Sequence, residues 1–310
     1  MHKTIHSETS HTFWDHELAP VLEIEPNETV ELKMREASSG QITTSSDAKA
    51  VENLDLKNVN PVTGPVFIDG AEPGDALKVS IEEISCSGWG WTANIPGFGL
   101  LSEDFPDAAL NIWKYDPVKL EPALFGEFGK IPLQPFIGTI GVAPAEKGQH
   151  EIIPPRRVGG NMDLHDIKAG TELYLPVECE GALFSAGDTH AAQGDGEVCG
   201  TAIESPLNAV LRFELVKGKA PDFPRAVTSK PDTRHLDAKG FEITTGIGSD
   251  LFEGAKNALR GMIDILSSRY NLPPVQAYML CSVCADLRIS EIVNEPNFVV
   301  SCYFPRRVFE

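Results

Sequence analysis

The alternation of apolar and polar residues is the feature that most restricts the fold of this chain. In "ALKVSIEEI", Leu77, Val79 and Ile81 alternate with Lys78, Ser80 and Glu82. "TVELKM" repeats the pattern with Val30, Leu32 and Met34, and "TELYLPVE" with Leu173, Leu175 and Val177. "AVLRFELVKG" is a fourth case. Side chains of an extended chain point to opposite faces in turn, so each run specifies a half-buried strand. Turn stretches such as "NPVTGP", "AEPGD" and "IKAGTE" separate the runs. Many short strands with Gly/Pro turns predict a mainly β body, a sandwich or distorted barrel.

After residue 240 the period changes. Phe252, Ala255, Leu259, Met262, Ile263 and Leu266 follow helical spacing. Asp250 and Glu253 form a capping pair at its start, and Asn271 with Pro273-Pro274 ends it. "VQAYMLCSVCADL" reads as a second helix, and "RISEIVN" and "FVVSCYFP" read as strands. The expected organisation is a β body over 1–240 and an α+β part over 241–310 packed on it. Within the body, residues 88–135 show no clear period and are rich in Gly and aromatics, as in "GWGWTANIPGFGLL". That stretch reads as a long ordered excursion that covers a pocket.

Acids outnumber bases 45 to 26, for a formal charge of −19. Such a surface repels nucleic acid and anionic lipid, so neither is an expected partner. The N-terminus is polar, no run approaches the ~20 apolar residues of a membrane span, and a cytoplasmic location is the default. Six cysteines are sparse and irregularly spaced, which suits reduced, buried thiols. Cys281 and Cys284 form a C-x-x-C with no second pair to complete a zinc site, so they read as two small residues on one helical turn.

Three patches concentrate groups able to do chemistry. The first, "GGNMDLHD", places Asn161, Asp163 and His165 on one face if it is extended. The second, "GDTH", does the same for Asp188 and His190. The third, "GDGEVCGTAIE", adds Asp195, Glu197 and Glu204. From Gly187 to Glu204 there are four acids, one histidine and four glycines, but no Lys or Arg. Oxygen donors with an imidazole suit zinc, manganese or calcium. Gly-Asp pairs also serve as ordinary turns; clustering on both flanks of the strand "ELYLPV" is what favours a metal site. No Gly-x-Ser-x-Gly elbow is present, and Ser185 has no evident neighbouring base. Cys199 is an alternative nucleophile, assisted by Glu197 or Glu204, although no nearby cation would lower its pKa.

These patches, in this order, resemble the acetamidase/formamidase family. The resemblance runs through "SSGQI" (38–42), "NPVTGPVFIDGAEPGDAL" (60–77), "PGFGLL" (96–101), "GGNMD" (159–163), "LYLPV" (173–177), "GALFSAGDTHAAQGDGEVCGTAIE" (181–204) and "DLRISEIVN" (286–294). It implies the family's β-rich fold with an α+β C-terminal part, and hydrolysis of a small linear amide to ammonia and a carboxylate. It also implies a homodimer and a divalent metal, zinc in the first instance, with calcium or manganese as further options. Carried onto this chain, Asp163, Asp188 and His190 become metal ligands, and Asn161 a ligand or substrate donor. Glu197 or Glu204 becomes the acid/base, and Trp91 and Phe98 flank the substrate. His165 lies beyond the motif and stays outside the metal set. His11, His16 and Asp15 in the His-rich opening are weaker candidates, and Asp195 is a ligand or a turn residue. A non-enzymatic binding protein on the same fold is the alternative of a different class.

Overall fold

Two six-stranded sheets face each other across an apolar layer. In the first the order is Lys3–Ile5, Thr29–Lys33, Leu207–Val216, Ala76–Cys86, Thr171–Pro176 and Arg225–Thr228. In the second, Gly159–Asn161, Phe136–Gly141, Phe184–His190 and Val62–Ile68 lie side by side. Ser10–His11 and Leu22–Ile24 both pair with the last of these. The structure, a computed structural model, describes residues 2–229 and 239–309.

The period-two runs fill the layer as the alternation requires. Val30, Leu32, Leu77, Val79 and Phe213 from the first sheet meet Val66, Ile68, Ile137, Ile140 and Phe184 from the second. Phe184 and Phe213 meet edge to face with centroids 4.9 Å apart. Each such burial contributes about 1.5–3 kcal/mol. The turn at Pro26–Glu28, with Asn27 at φ 75°, carries the chain from one sheet to the other. The expected sandwich is present, and most pairings are antiparallel.

The C-terminal part has a three-stranded sheet ordered Phe241–Gly248, Phe298–Pro305, Asp286–Glu291, with helices at Leu251–Tyr270 and Pro274–Cys284. Asp250 caps the longer helix by accepting the Glu253 N–H at 2.8 Å, and Asn271 ends it in a left-handed conformation. Cys281 and Cys284 are both buried, on the shorter helix, and neither is in a disulfide.

The excursion over 88–135 is more regular than the sequence suggests. Trp89–Asn94 pairs with Ala109–Lys114, and Ala123–Phe125 pairs with Gly129–Ile131. Five of the six residues in Trp89–Asn94 are buried, on both faces of the strand, so no alternation marks it. Trp113, Phe125 and Ile131 from this stretch share a second core with Leu259, Met262 and Tyr278 of the C-terminal helices.

That second core also seats the loop after His190. Gly194 donates its N–H to Ser282 O at 2.8 Å, and Ser282 Oγ donates to Thr201 O at 2.7 Å. Tyr278 Oη donates to Val198 O at 2.5 Å and accepts the Leu101 N–H at 2.8 Å. A Cβ at Gly194 would collide with the backbone of Ala285. Gly194→Ala is therefore expected to lower stability by about 1–3 kcal/mol, as overpacking does. Thermal denaturation measures this, and an unchanged Tm would show that the loop is not docked here.

Candidate active site

The strand Phe184–His190 is buried along its whole length and runs between Phe136–Gly141 and Val62–Ile68. Alternation along it puts Asp188 and His190 on one side and Ser185 on the other. The strand Gly159–Asn161 places Asn161 opposite Thr139. Thr139 Oγ1 lies 3.0 Å from Asn161 Oδ1 and 3.2 Å from Asp188 Oδ2, with one proton to give between them.

His190 is the centre of the site. Its Nε2 lies 3.3 Å from Asp188 Oδ1 and 3.1 Å from Glu204 Oε2. Its Nδ1 is 2.9 Å from Gln193 Oε1. Gln193 Nε2 donates to Asp163 O at 2.9 Å, which turns the amide oxygen toward the imidazole. Nδ1 must then carry a proton, and Nε2 is the nitrogen presented to the acids. Phe136 meets the ring edge to face at 5.0 Å, and a Cβ on Gly138 would lie 2.8 Å from His190 Cε1.

Asp163 approaches from the other side. The sequence reading extended "GGNMDLHD" throughout; the strand ends at Asn161 instead, and Asp163 turns back with φ 48°. The turn brings Asp163 within 4.8 Å of Glu197 and His190, while His165 turns elsewhere. His165 pairs with Asp195 at 2.9 Å, and Asp195 also accepts the Leu287 N–H at 2.9 Å through its carbonyl. Among the described residues, two groups can each offer three donor atoms within 4.8 Å of one another. These are Asp188, His190 and Glu204, and Asp163, His190 and Glu197. Asp163, Asp188 and Glu197 all have left-handed backbone, at φ 48°, 44° and 40°. Non-glycine residues hold that conformation only where the surroundings enforce it.

Among the described residues no lysine or arginine lies in this site, and the charges, buried at Asp188, His190 and Glu204 and half-buried at Asp163 and Glu197, shift one another. Burial and then the Asp188 carboxylate push Asp163 up to about 7. Burial and Asp163 push Glu197 well above the usual carboxylate range. Burial raises Glu204, with His190 acting against it. For His190, burial favours the neutral ring, but Glu204 and Asp188 outweigh it and hold the imidazole well above its ordinary value. Asp163 Oδ1 is buried without a hydrogen-bond donor, and Glu204 Oε2 faces His190 without hydrogen-bond alignment. A divalent cation fits this donor set, because it would satisfy both oxygens and remove the like-charge repulsion.

A cavity of about 230 Å³ opens on the cluster. Asn161, Asp188, Glu197 and Glu204 line it together with Trp91 and Phe98. Trp91 is held at three points. Its backbone exchanges hydrogen bonds with Glu204 at 2.9 and 2.8 Å, and its indole N–H donates to Glu36 at 2.6 Å. Phe98 stands at the mouth and is 45% exposed.

The weaker candidates lie elsewhere. His16 contacts Pro144 O at 3.0 Å, and the Asp15 carboxylate accepts the Glu17 N–H at 2.9 Å. His11 Nε2 lies 3.0 Å from Ser185 Oγ, so Ser185 does have a basic neighbour, which sequence distance concealed. Ser185 is nevertheless fully buried and turned from the cavity. Cys199 is fully buried, its thiol is raised by burial, and it lies 3.4 Å from Ala93 O. Gln193, Thr139 and Glu36 escaped the sequence reading. Gln193 sits inside the block that carries the resemblance, but its contact with His190 depends on a turn that spacing does not reveal.

A buried acid and imidazole cluster at the end of an apolar cavity is the equipment of a hydrolytic enzyme. The family profile described as the Acetamidase/Formamidase family matches residues 1–152 and 145–310, and the chain belongs to this family of amidohydrolases, which act on C–N bonds other than peptide bonds. It is 29% identical over 283 residues to an acetamidase from Mycolicibacterium smegmatis, covering 71% of this chain and 69% of that protein. It is 25% identical over 365 residues to a formamidase from Methylophilus methylotrophus, covering 97% and 89%. The structure of an acetamidase from Bacillus halodurans aligns with a TM-score of 0.69 and 31% identity, over 97% and 96% of the two chains. A gamma lactamase from Delftia acidovorans shares the fold with a TM-score of 0.90, at 24% identity and over 97% and 90%.

The shifted acids give the cation-free protein a defined pH response. Unfolded carboxyls titrate near about 4, whereas Asp163 in the fold titrates at about 7. Groups with raised folded pKa stabilise fully below the unfolded value and lose that contribution as pH rises through the folded one. His190 acts in the same direction. After chelation, Tm is expected to fall between about pH 5 and about pH 8, and differential scanning calorimetry reads it. A rise over that range would show that these acids are not buried against one another.

Proposed function

We propose that the protein hydrolyses a small linear amide to ammonia and a carboxylate with the help of a divalent cation. The observation that carries this reading is the cluster around His190, four acids that no lysine or arginine accompanies among the described residues. Asp188, His190 and Glu204 would hold the cation, with Asp163 adjoining them. The ion is zinc in the first instance, and calcium or manganese also suits these donors. When bound, the cation supplies stabilisation of developing negative charge and lowers the pKa of water.

The chain's own residues manage the proton. Glu197 lines the cavity and lies within 4.8 Å of Asp163. Ionised once a bound cation offsets the neighbouring acids, Glu197 would take a proton from the attacking water and deliver it to the leaving nitrogen. Asp163 holds that proton by repelling charge on Glu197. Glu204 is the poorer shuttle, because one of its oxygens is tied to the Ala202 N–H at 2.8 Å. Asn161 orients the amide, while Trp91 and Phe98 exclude water beside the acyl group. The protein acts as a cytoplasmic homodimer on a freely diffusing substrate. The charge of −19 supports independence from nucleic acid and lipid. Exposed Ile243, Ile247 and Ile289 on the C-terminal part support a partner subunit.

Chelation is expected to abolish ammonia release from primary amides, and zinc to restore it. Full activity in metal-free protein would overturn the cation-assisted reading. Glu197→Gln is expected to lower kcat by about 10²–10⁴ with metal still bound. Cys199→Ala is expected to keep its activity. Complete loss with metal retained would transfer the nucleophile's role to the thiol.

A further inference from the structure

The cavity is larger than formamide or acetamide requires. Its volume is about 230 Å³. An apolar cavity of about 150 Å³ holds a benzene ring, and one water takes a share of about 30 Å³. After room is left for a water, the remaining space still exceeds that of an aromatic ring. An acetamide methyl would leave much of the wall without partner atoms, and such a gap forfeits dispersion contacts.

The wall is apolar where it is not catalytic. Leu54, Val59, Trp91, Ile95, Phe98 and Ile153 face the same space as Asn161, Asp188, Glu197 and Glu204. Trp91 is 2% exposed and fixed by Glu36 and Glu204, so this part of the wall is preformed. Among the described residues no lysine or arginine lines the cavity. An acyl group with a carboxylate would meet three acids and no cation of the chain. Leu54 and Val59 lie in the stretch between "SSGQI" and "NPVTGP", outside the blocks that carry the family resemblance. Leu54 and Val59 are therefore separate in sequence from the residues that do the chemistry.

We infer that the preferred substrate is a primary amide with an uncharged apolar acyl group of about five to seven carbons, aliphatic or aromatic, with Leu54 and Val59 setting its length. The inference rests on the amidase reading above and deepens it. The extra contacts are made equally by substrate and transition state, so they act through KM rather than kcat.

The test is steady-state ammonia release by the metal-loaded enzyme from formamide, acetamide, butyramide, hexanamide and benzamide. Between acetamide and hexanamide, kcat/KM is expected to rise roughly fourfold per methylene, carried by KM. Leu54→Trp, with Val59→Phe as the second filling variant, is expected to reduce hexanamide and benzamide turnover about tenfold or more while acetamide changes little. A kcat/KM that is flat or falls beyond acetamide overturns the acyl-length inference and leaves the amidase reading standing. Silence on every amide overturns the amidase reading itself. Filled variants that still prefer hexanamide remove Leu54 and Val59 from the role.

Discussion

Four carboxyl groups and one imidazole are packed together, and among the described residues no lysine or arginine comes to them. Repulsion among these acids is the constraint that the surrounding structure must offset. It does so through His190 between Asp188 and Glu204, through raised proton affinity at Asp163 and Glu197, and through hydrogen bonds from Thr139 and the Ala202 N–H. Isolated buried charges would cost several kcal/mol each, so a cluster of this kind persists only with such partners. Three acids in left-handed backbone conformation show the same pressure at main-chain level.

The offsetting framework comes from two cores rather than one. The sandwich core holds the strand that carries Asp188 and His190. The second core, shared with the C-terminal helices, holds the loop that carries Glu197. Ser282 and Tyr278 hydrogen-bond the backbone of that loop, and Ala285 packs closely on Gly194. The distance between the acids is thereby set by packing between helices and sheet, and not by the loop itself.

Much of this was legible in the sequence, and the remainder was hidden for physical reasons. Period-two runs named the sandwich strands, and helical spacing with Asp250 and Asn271 named the long helix with its ends. Asp188 and His190 share a face because alternation on a strand is local. Asp163 arrives by a different route than expected, since φ 48° at a non-glycine residue has no sequence signature. The strand Trp89–Asn94 was invisible because both its faces are buried. Gln193 and Glu36 act through contacts that only tertiary structure creates: Glu36 lies 55 positions from the Trp91 it holds.

The link from Glu36 through Trp91 to Glu204 has a consequence for how this enzyme can change. Trp91 belongs to the cavity wall and to the scaffold of a reacting acid at once, so replacement there disturbs both. Leu54 packs on the cluster that holds Trp91, but neither it nor Val59 hydrogen-bonds an acid of the site. Acyl preference can drift through the latter positions over many generations while the proton-handling machinery stays intact. On the acyl-length inference, the tryptophan is the fixed partition and Leu54 and Val59 are the part of the wall free to vary.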